Sequence, residues 1–527
     1  MPNLIADDIV TQAVTSLVQR AEREEDPQRL VRTYVDTGIL TQLKNTNNQV
    51  LYGRRGTGKT HVLKVLDQYF GQSKGIVTAY IDMRMLGSST LASDAGRTGA
   101  ARALGIYQDI MAEVHNLLLE ALISDAGSNL EKAFEQLNEL SKVVLNATYQ
   151  GGPITLEESK QSSSGHQGSI SITAGSPALG LTTDRKEGTA FRQTQTFDPL
   201  DKVIFPQVHR YLKAFLDSSH IERLVVFLDE WSSCPGEVQP LVADFLKRTF
   251  FAEPRAVLKI AALEYRATFY LPQAGSSGYG LELGGDIATA MDLDSYFVYD
   301  QNPVAVTEAY QELLFRHIAA RMPQEAYLDS QYGISDAKQF RQALFTEASF
   351  GELARAAEGV ARDLINIFGQ AYLNARRRGL DHIQVKEVED SAENWYQQDK
   401  DRNLTPELRH TLQAIITDVI GHRKARSFMV AQETASHPRL QSLIDLRVVH
   451  LIHRGYADKE NPGLRYNIYT LDYGTYVGLK RTAAAPELDL QITAEDEQIE
   501  GRIVPFDDKR SIRRIIVSAD TLEGKSG

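Results

Sequence analysis

The chain has 527 residues, 42% hydrophobic and 24% charged, with a formal net charge of −12. That length exceeds what one hydrophobic core sustains and predicts three or four domains. The acidic balance excludes a protein that coats nucleic acid over its whole surface, while leaving room for a local basic patch.

Taken in chain order, Leu4, Ile5, Ile9, Val14, Leu17 and Val18 recur at helical spacing, so residues 1–45 read as helices. The first eight residues carry neither a basic segment nor an apolar run, which predicts no secretory signal. Val50-Leu51-Tyr52 reads as a short strand, 62–70 as an amphipathic helix, and Gly75–Asp82 as a second strand. Helical patterns follow near 102–124 and 129–146. Residues 148–197 are rich in Gly, Ser and Thr; they read either as a disordered insertion or as a hairpin of 169–174 with 178–183. Beyond them come a helix near 201–217, a strand at 223–228, a helix near 238–250 and a strand at 257–263. A Gly-rich loop spans 267–292, a fifth strand is expected at Tyr296–Tyr299, and 303–397 is helical. Strands and helices that alternate up to 300 and then give way to helices imply a parallel α/β sheet with a helical domain attached. No apolar run approaches the ~18 residues that cross a bilayer, so no membrane partner is expected. The single cysteine, Cys234, fits a reducing cytoplasm and reads as a packing residue.

The first chemical motif is Gly53-Arg54-Arg55-Gly56-Thr57-Gly58-Lys59-Thr60, every element of G-x-x-x-x-G-K-[ST] between a strand and a helix. Glycines let backbone N–H groups turn toward phosphate oxygens, and the following helix aims its positive end at the same place. Lys59 is expected to reach the β- and γ-phosphates of ATP, and the Thr60 hydroxyl to hold Mg²⁺. The second is Arg223-Leu-Val-Val-Phe-Leu-Asp229-Glu230, a buried strand ending in two acids. Asp229 is the expected Mg²⁺ carboxylate and Glu230 the group that polarises the attacking water. Glu230 also reads as a plain helix-start acid, in which case ATP binds but is hydrolysed poorly.

This order of parts resembles AAA+ ATPases over about 45–480, in particular the initiator-like, origin-recognition-type group. The resemblance implies a P-loop NTPase core with a helical lid and a C-terminal winged helix. It divides the chain into N-terminal helices (1–45), the ATPase core (46–300, with the insertion), the lid (301–400), the winged helix (401–480) and a tail (481–527). It also implies a γ-phosphate sensor after the 257–263 strand, where the usual polar residue is missing and Glu264 or Arg266 stands in. An arginine there is similar to signal-transducing STAND ATPases. The lid sequence Gly359-Val-Ala-Arg362-Asp-Leu-Ile resembles the Gly-x-x-Arg lid motif, which gives Arg362 the second sensor role. A finger arginine is not located, since Arg248 and Arg255 lie earlier than the pattern expects.

Near 404 a new unit starts, with Thr405-Pro406-Glu407 as helix cap and first turn. A helix at 440–448 and strands at 449–452 and 464–469 complete the expected winged helix. Its candidate DNA contacts are Arg423, Lys424, Arg426, Arg439, Arg447, His453 and Arg454, with a protein-only role left equally open. Arg376–Arg378 read as cations at the negative end of their helix. The resulting expectation is a slow ATPase switch that assembles with ATP into a homo-oligomer and regulates a DNA transaction or a separate effector, with a look similar to anti-phage defence ATPases. A DNA-loading ATPase and a non-hydrolysing scaffold are the alternatives.

Overall fold

The structure is a computed structural model that describes residues 3–87, 99–124, 130–145, 154–161, 169–174, 190–197, 204–273, 276–287, 290–297, 302–324, 326–423, 425–457, 463–479 and 515–524. The chain forms two compact units that do not follow chain order. One gathers 1–37, 53–61 and 292–527; the other gathers 38–52 and 62–291.

The second unit is built on a sheet of β1 (Gln49–Tyr52), β2 (Ile76–Asp82), β3 (Arg223–Asp229), β4 (Ala256–Ala262) and β5 (Ala290–Asp292), in the spatial order β5-β1-β4-β3-β2. The pairs β1–β4, β4–β3 and β3–β2 are parallel. An apolar run buries both faces of a strand, and β3 does so from Leu224 to Asp229. Helices Gly99–Ser124, Leu130–Leu145 and Phe205–Ser218 supply Tyr107, Leu137 and Phe215 to the core that Val226 and Ile260 also line. Parallel strands end on one edge, so Tyr52, which leads into the phosphate loop, and Asp229 sit at the same edge of the sheet.

Two expectations need correction here. The fifth strand is Ala290–Asp292, and Leu293–Tyr296 winds into a 3₁₀ turn because Asp292 caps it through Asp294 N–H; Val298 and Tyr299 lie outside the described residues. The insertion carries an antiparallel sheet in the order Ser169–Ala174, Ile154–Gln161, Ala190–Phe197. The 178–183 partner expected for Ser169–Ala174 lies outside the described residues.

The first unit contains the helices Asp8–Thr15 and Pro27–Thr33, the lid helices from Pro303 to Trp395 and a C-terminal part. Helix Pro406–Ile416 is capped by Thr405 as the sequence implies. A three-stranded antiparallel sheet follows, in the order Ser427–Ala431, Arg465–Leu471, Val449–Ala457. The strand Ser427–Ala431 is an addition to the two expected. Arg376 and Arg377 lie in the last turn of their helix, and Arg376 also reaches the Ile5 and Asp7 carbonyls and the Asp8 carboxylate. Among the described residues no helix is long and apolar enough to cross a membrane.

Candidate functional site

In the first unit, Gly56 and Gly58 have φ of +85° and +105°, which turns the backbone amides of the loop in a way a side-chain-bearing residue resists. Lys59 is buried, and its Nζ donates to the Gly53 and Arg54 carbonyls at 2.7 and 3.0 Å. The Thr57 hydroxyl donates to the same Arg54 carbonyl at 2.8 Å. Arg55 is exposed. The lid arginine of the sequence reading lies on this loop. The Arg362 N–H donates to the Gly56 carbonyl at 3.1 Å, and a Cβ on Gly56 would sit 2.9 Å from Arg362 Cβ. Arg362 Nε is buried without a hydrogen-bond partner. Burial and the neighbouring Arg447 and Arg20 lower the pKa of this guanidinium. A buried guanidinium nitrogen without a partner, beside inward-turned amides, suits an anion.

Beside the loop runs a cleft lined by Val18, Ala21 and Leu30, by Leu313 and His317, and by Gly56, Gly58 and Arg362. His317 is buried, and burial next to His61 and Arg321 pushes it down to about 3, so it is neutral. Arg321 pairs with Glu24 at 2.9 Å, closing the cleft with a buried ion pair. The cleft thus sets the aliphatic Val18, Leu30 and Leu313 and the neutral His317 ring beside the Glu24–Arg321 pair, next to the phosphate loop.

In the second unit Asp229 is fully buried. Its Oδ1 accepts from Glu230 N–H at 2.8 Å and its Oδ2 from the Tyr80 hydroxyl at 2.6 Å. Glu230 sits at φ +54°, a left-handed conformation that a glutamate adopts at a cost of about 1–2 kcal/mol. Arg84 holds Asp82 at 2.6 Å and comes within 3.9 Å of Glu230. Arg266 is exposed in the 3₁₀ turn Glu264–Arg266 after β4. Leu263 N–H, at the end of that strand, is taken by Ser232 Oγ at 2.8 Å. Arg248 and Arg255 are engaged by Asp244 and by Glu253 with Asp217. Cys234 is buried, and burial pushes its thiol up to about 12, in keeping with a packing role.

The structure keeps Gly53–Thr60 and Arg362 together in the first unit, and Asp229, Glu230 and Arg266 in the second. Among the described residues there is no cluster of three acidic, His or Cys side chains fit for a metal.

Of the basic candidates of the C-terminal part, Arg426 and Arg447 are buried, whereas Arg454 is exposed. Arg426 pairs with Glu358 at 3.1 Å, Arg447 with Asp363 and Asp399, and Arg454 with Asp292 at 3.0 Å. Arg439 donates to the Leu522 carbonyl at 3.3 Å. Arg423 is exposed, 3.8 Å from Asp418, and Lys424 lies outside the described residues. Sequence reasoning missed Tyr80, His450, Lys400 and Asp472. Their partners are tens to hundreds of residues away, so no local spacing points to them.

A family model described as ORC-CDC6-like matches residues 18–70, the stretch from the cleft's N-terminal wall through the phosphate loop. No curated protein matches the chain. Among solved structures, Cdc6p from Pyrobaculum aerophilum is 12% identical, with 90% of this chain and 97% of that one covered at a TM-score of 0.31. The Aeropyrum pernix ORC1 protein in complex with DNA is 13% identical over 85% and 93%, TM-score 0.32. A point variant of RuvB from Thermotoga maritima is 11% identical over 84% and 91%, TM-score 0.32. At such scores these likenesses assign neither activity nor partner to this chain.

Proposed function

We propose that the chain binds ATP with Mg²⁺, hydrolyses it slowly and acts as a nucleotide-dependent switch of the initiator-like AAA+ kind. The observation that carries this reading is the seating of Arg362 on Gly56, with a buried guanidinium nitrogen left for an anion. A γ-phosphate there gains a charge-assisted bond that ADP lacks, so the lid position depends on which nucleotide is bound. The match of residues 18–70 to the ORC-CDC6-like family supports the nucleotide-binding part. Thr60 and Asp229 are the residues that would hold Mg²⁺, whose charge would offset that of the phosphates. Glu230 would orient the attacking water, and Arg266 would sense the γ-phosphate.

The output we infer is ATP-driven self-assembly that controls a separate effector or a DNA transaction, in the cytoplasm. A role in anti-phage defence rests on resemblance alone. The burial and ion pairing of Arg426 and Arg447 favours the switch over a DNA loader, because cations neutralised inside the fold release no counterions from DNA. The test is to size the purified chain with ADP and with ATP plus Mg²⁺, with and without DNA. ATP-dependent assembly that does not require DNA is expected. An unchanged size under every condition defeats the switch reading.

A further inference from the structure

The phosphate loop is tied to the C-terminal antiparallel sheet through one arginine. Arg54 is only 8% exposed, and its side chain is held by three partners. Its Nε lies 3.2 Å from Asp294 Oδ2, its NH2 donates to the Glu358 carbonyl at 2.9 Å, and its NH1 donates to His450 Nδ1. A guanidinium only donates, so Nδ1 carries the lone pair and the imidazole proton sits on Nε2. Nε2 faces Asp472 Oδ2 at 2.8 Å, which accepts that proton. Both neighbours therefore fix one neutral tautomer of a histidine that is 2% exposed.

The consequence for the loop comes through the Arg54 backbone. Its carbonyl receives both Lys59 Nζ and the Thr57 hydroxyl, so wherever Arg54 is held, the phosphate-binding ammonium is held too. Glu358, whose carbonyl takes Arg54, has φ +44° and precedes Gly359 at φ +83°. A Cβ on Gly359 would stand 2.9 Å from Arg54 NH2 and 2.8 Å from the Phe297 carbonyl. The lid backbone is thus bent to let the guanidinium through to the C-terminal sheet.

We propose that His450 is a positioning residue for the nucleotide site: by accepting from Arg54 it sets the phosphate loop and Lys59 for binding. This rests on the nucleotide-binding reading above. It makes the C-terminal sheet part of the nucleotide site, so that a force or partner acting on the sheet changes nucleotide affinity.

Two substitutions separate positioning from packing. Asn at 450 offers its Oδ1 where Nδ1 was and gives up the donor to Asp472; Gln offers its amide where Nε2 was and gives up the acceptor for Arg54. ATP affinity with Mg²⁺ is measured calorimetrically on the full-length chain for wild type, Lys59→Ala, His450→Asn, His450→Gln and His450→Leu, and for the three His450 variants combined with Arg54→Met. The expected result is His450→Asn within about twofold of wild type, and His450→Gln and His450→Leu weaker by about tenfold, the weight of a bond to a charged donor. In the Arg54→Met background the three should be equal. Equal effects of His450→Asn and His450→Gln, or effects that persist without Arg54, overturn the positioning role while leaving nucleotide binding intact. No ATP binding by the wild type, indistinguishable from Lys59→Ala, overturns the nucleotide reading and the positioning role with it.

Discussion

Lys400 places its ammonium 2.9 Å from the Asp363 carboxylate, and neither side chain is more than 3% exposed. Asp363 directly follows Arg362. It also accepts from Arg447 and, at 3.1 Å, from the Trp395 indole, while Lys400 reaches Asp472 at 2.5 Å. Lid and C-terminal sheet therefore share one buried charge network. Asp363→Ala leaves Lys400 and Arg447 short of an anion, and breaking such a pair costs about 3–5 kcal/mol. A large drop in the urea midpoint is expected. Lys400 and Arg447 hold the Asp363 carboxyl well below the usual carboxylate range in spite of its burial. Its stabilisation is therefore present above the unfolded value and lost only as pH falls through the depressed folded one.

The histidines set an acid limit at milder pH. Burial and facing cations push His450 down to about 4 and His317 to about 3. His450 faces Arg54, Asp472 and Lys400; His317 faces His61 and Arg321. Both are neutral when folded and take up protons near 6.5 when unfolded, so the unfolded chain binds more protons below that value. Stability should fall as pH drops from about 6.5 toward 4, by about 1.4 kcal/mol per pH unit for each histidine. Thermal midpoints across this range check it, and His450→Asn should flatten the slope by about half.

Glu230 carries backbone strain that its proposed chemistry would explain. At φ +54° a glycine relaxes what a glutamate cannot. Glu230→Gly is expected to unfold at a higher temperature than wild type, by about 1 kcal/mol of stability, and to lose ATP hydrolysis. Glu230→Gln should lose hydrolysis with no gain. Phosphate release together with a melting curve for both variants tests this. A Glu230→Gly chain that is no more stable than Glu230→Gln contradicts the strain argument.

Tyr80 donates to Asp229 at 2.6 Å and fixes how the carboxylate is turned. Partners of metal-binding carboxylates typically matter about 10–100-fold for the metal. Tyr80→Phe is expected to raise the Mg²⁺ concentration needed for half-maximal ATP hydrolysis by about tenfold, with metal-free nucleotide affinity unchanged.

The core of the fold was legible because its signals are local. The apolar run Leu224–Leu228 announces a central strand, and Gly56, Gly58 and Lys59 announce a phosphate loop whatever lies elsewhere. The edge strand Ala290–Asp292 is three residues long and has no such pattern; Asp292 ends it by capping the next turn, which shifted the expected strand to 296–299. The C-terminal arginines illustrate the deeper limit. Arg426 and Arg447 read as surface cations because the carboxylates that claim them, Glu358 and Asp363, lie 68 and 84 residues earlier. Composition counts charges, whereas pairing depends on tertiary approach. Arg54 shows the same limit: its place in the motif suggests a nucleotide contact, while nothing local announces that its side chain joins Asp294, Glu358 and His450.

Gly56 and Gly58 allow the lid contact to be tested apart from the loop's own geometry. Both have positive φ, so alanine strains either by about 1–2 kcal/mol. Only at Gly56 does the new methyl meet the lid, at 2.9 Å from Arg362 Cβ and 3.1 Å from Val360 Cγ1; at Gly58 it meets nothing within 4 Å. Gly58→Ala should weaken ATP and ADP to the same extent, since it disturbs only the amides that both nucleotides use. Gly56→Ala also pushes Arg362 off the loop and breaks its N–H bond to the Gly56 carbonyl. The preference for ATP over ADP should then fall toward one, as in Arg362→Ala, because the γ-phosphate loses the guanidinium that distinguishes it. Affinities of both nucleotides for the three variants decide the matter. An ATP preference that survives Gly56→Ala and Arg362→Ala would mean that the lid arginine does not read the γ-phosphate.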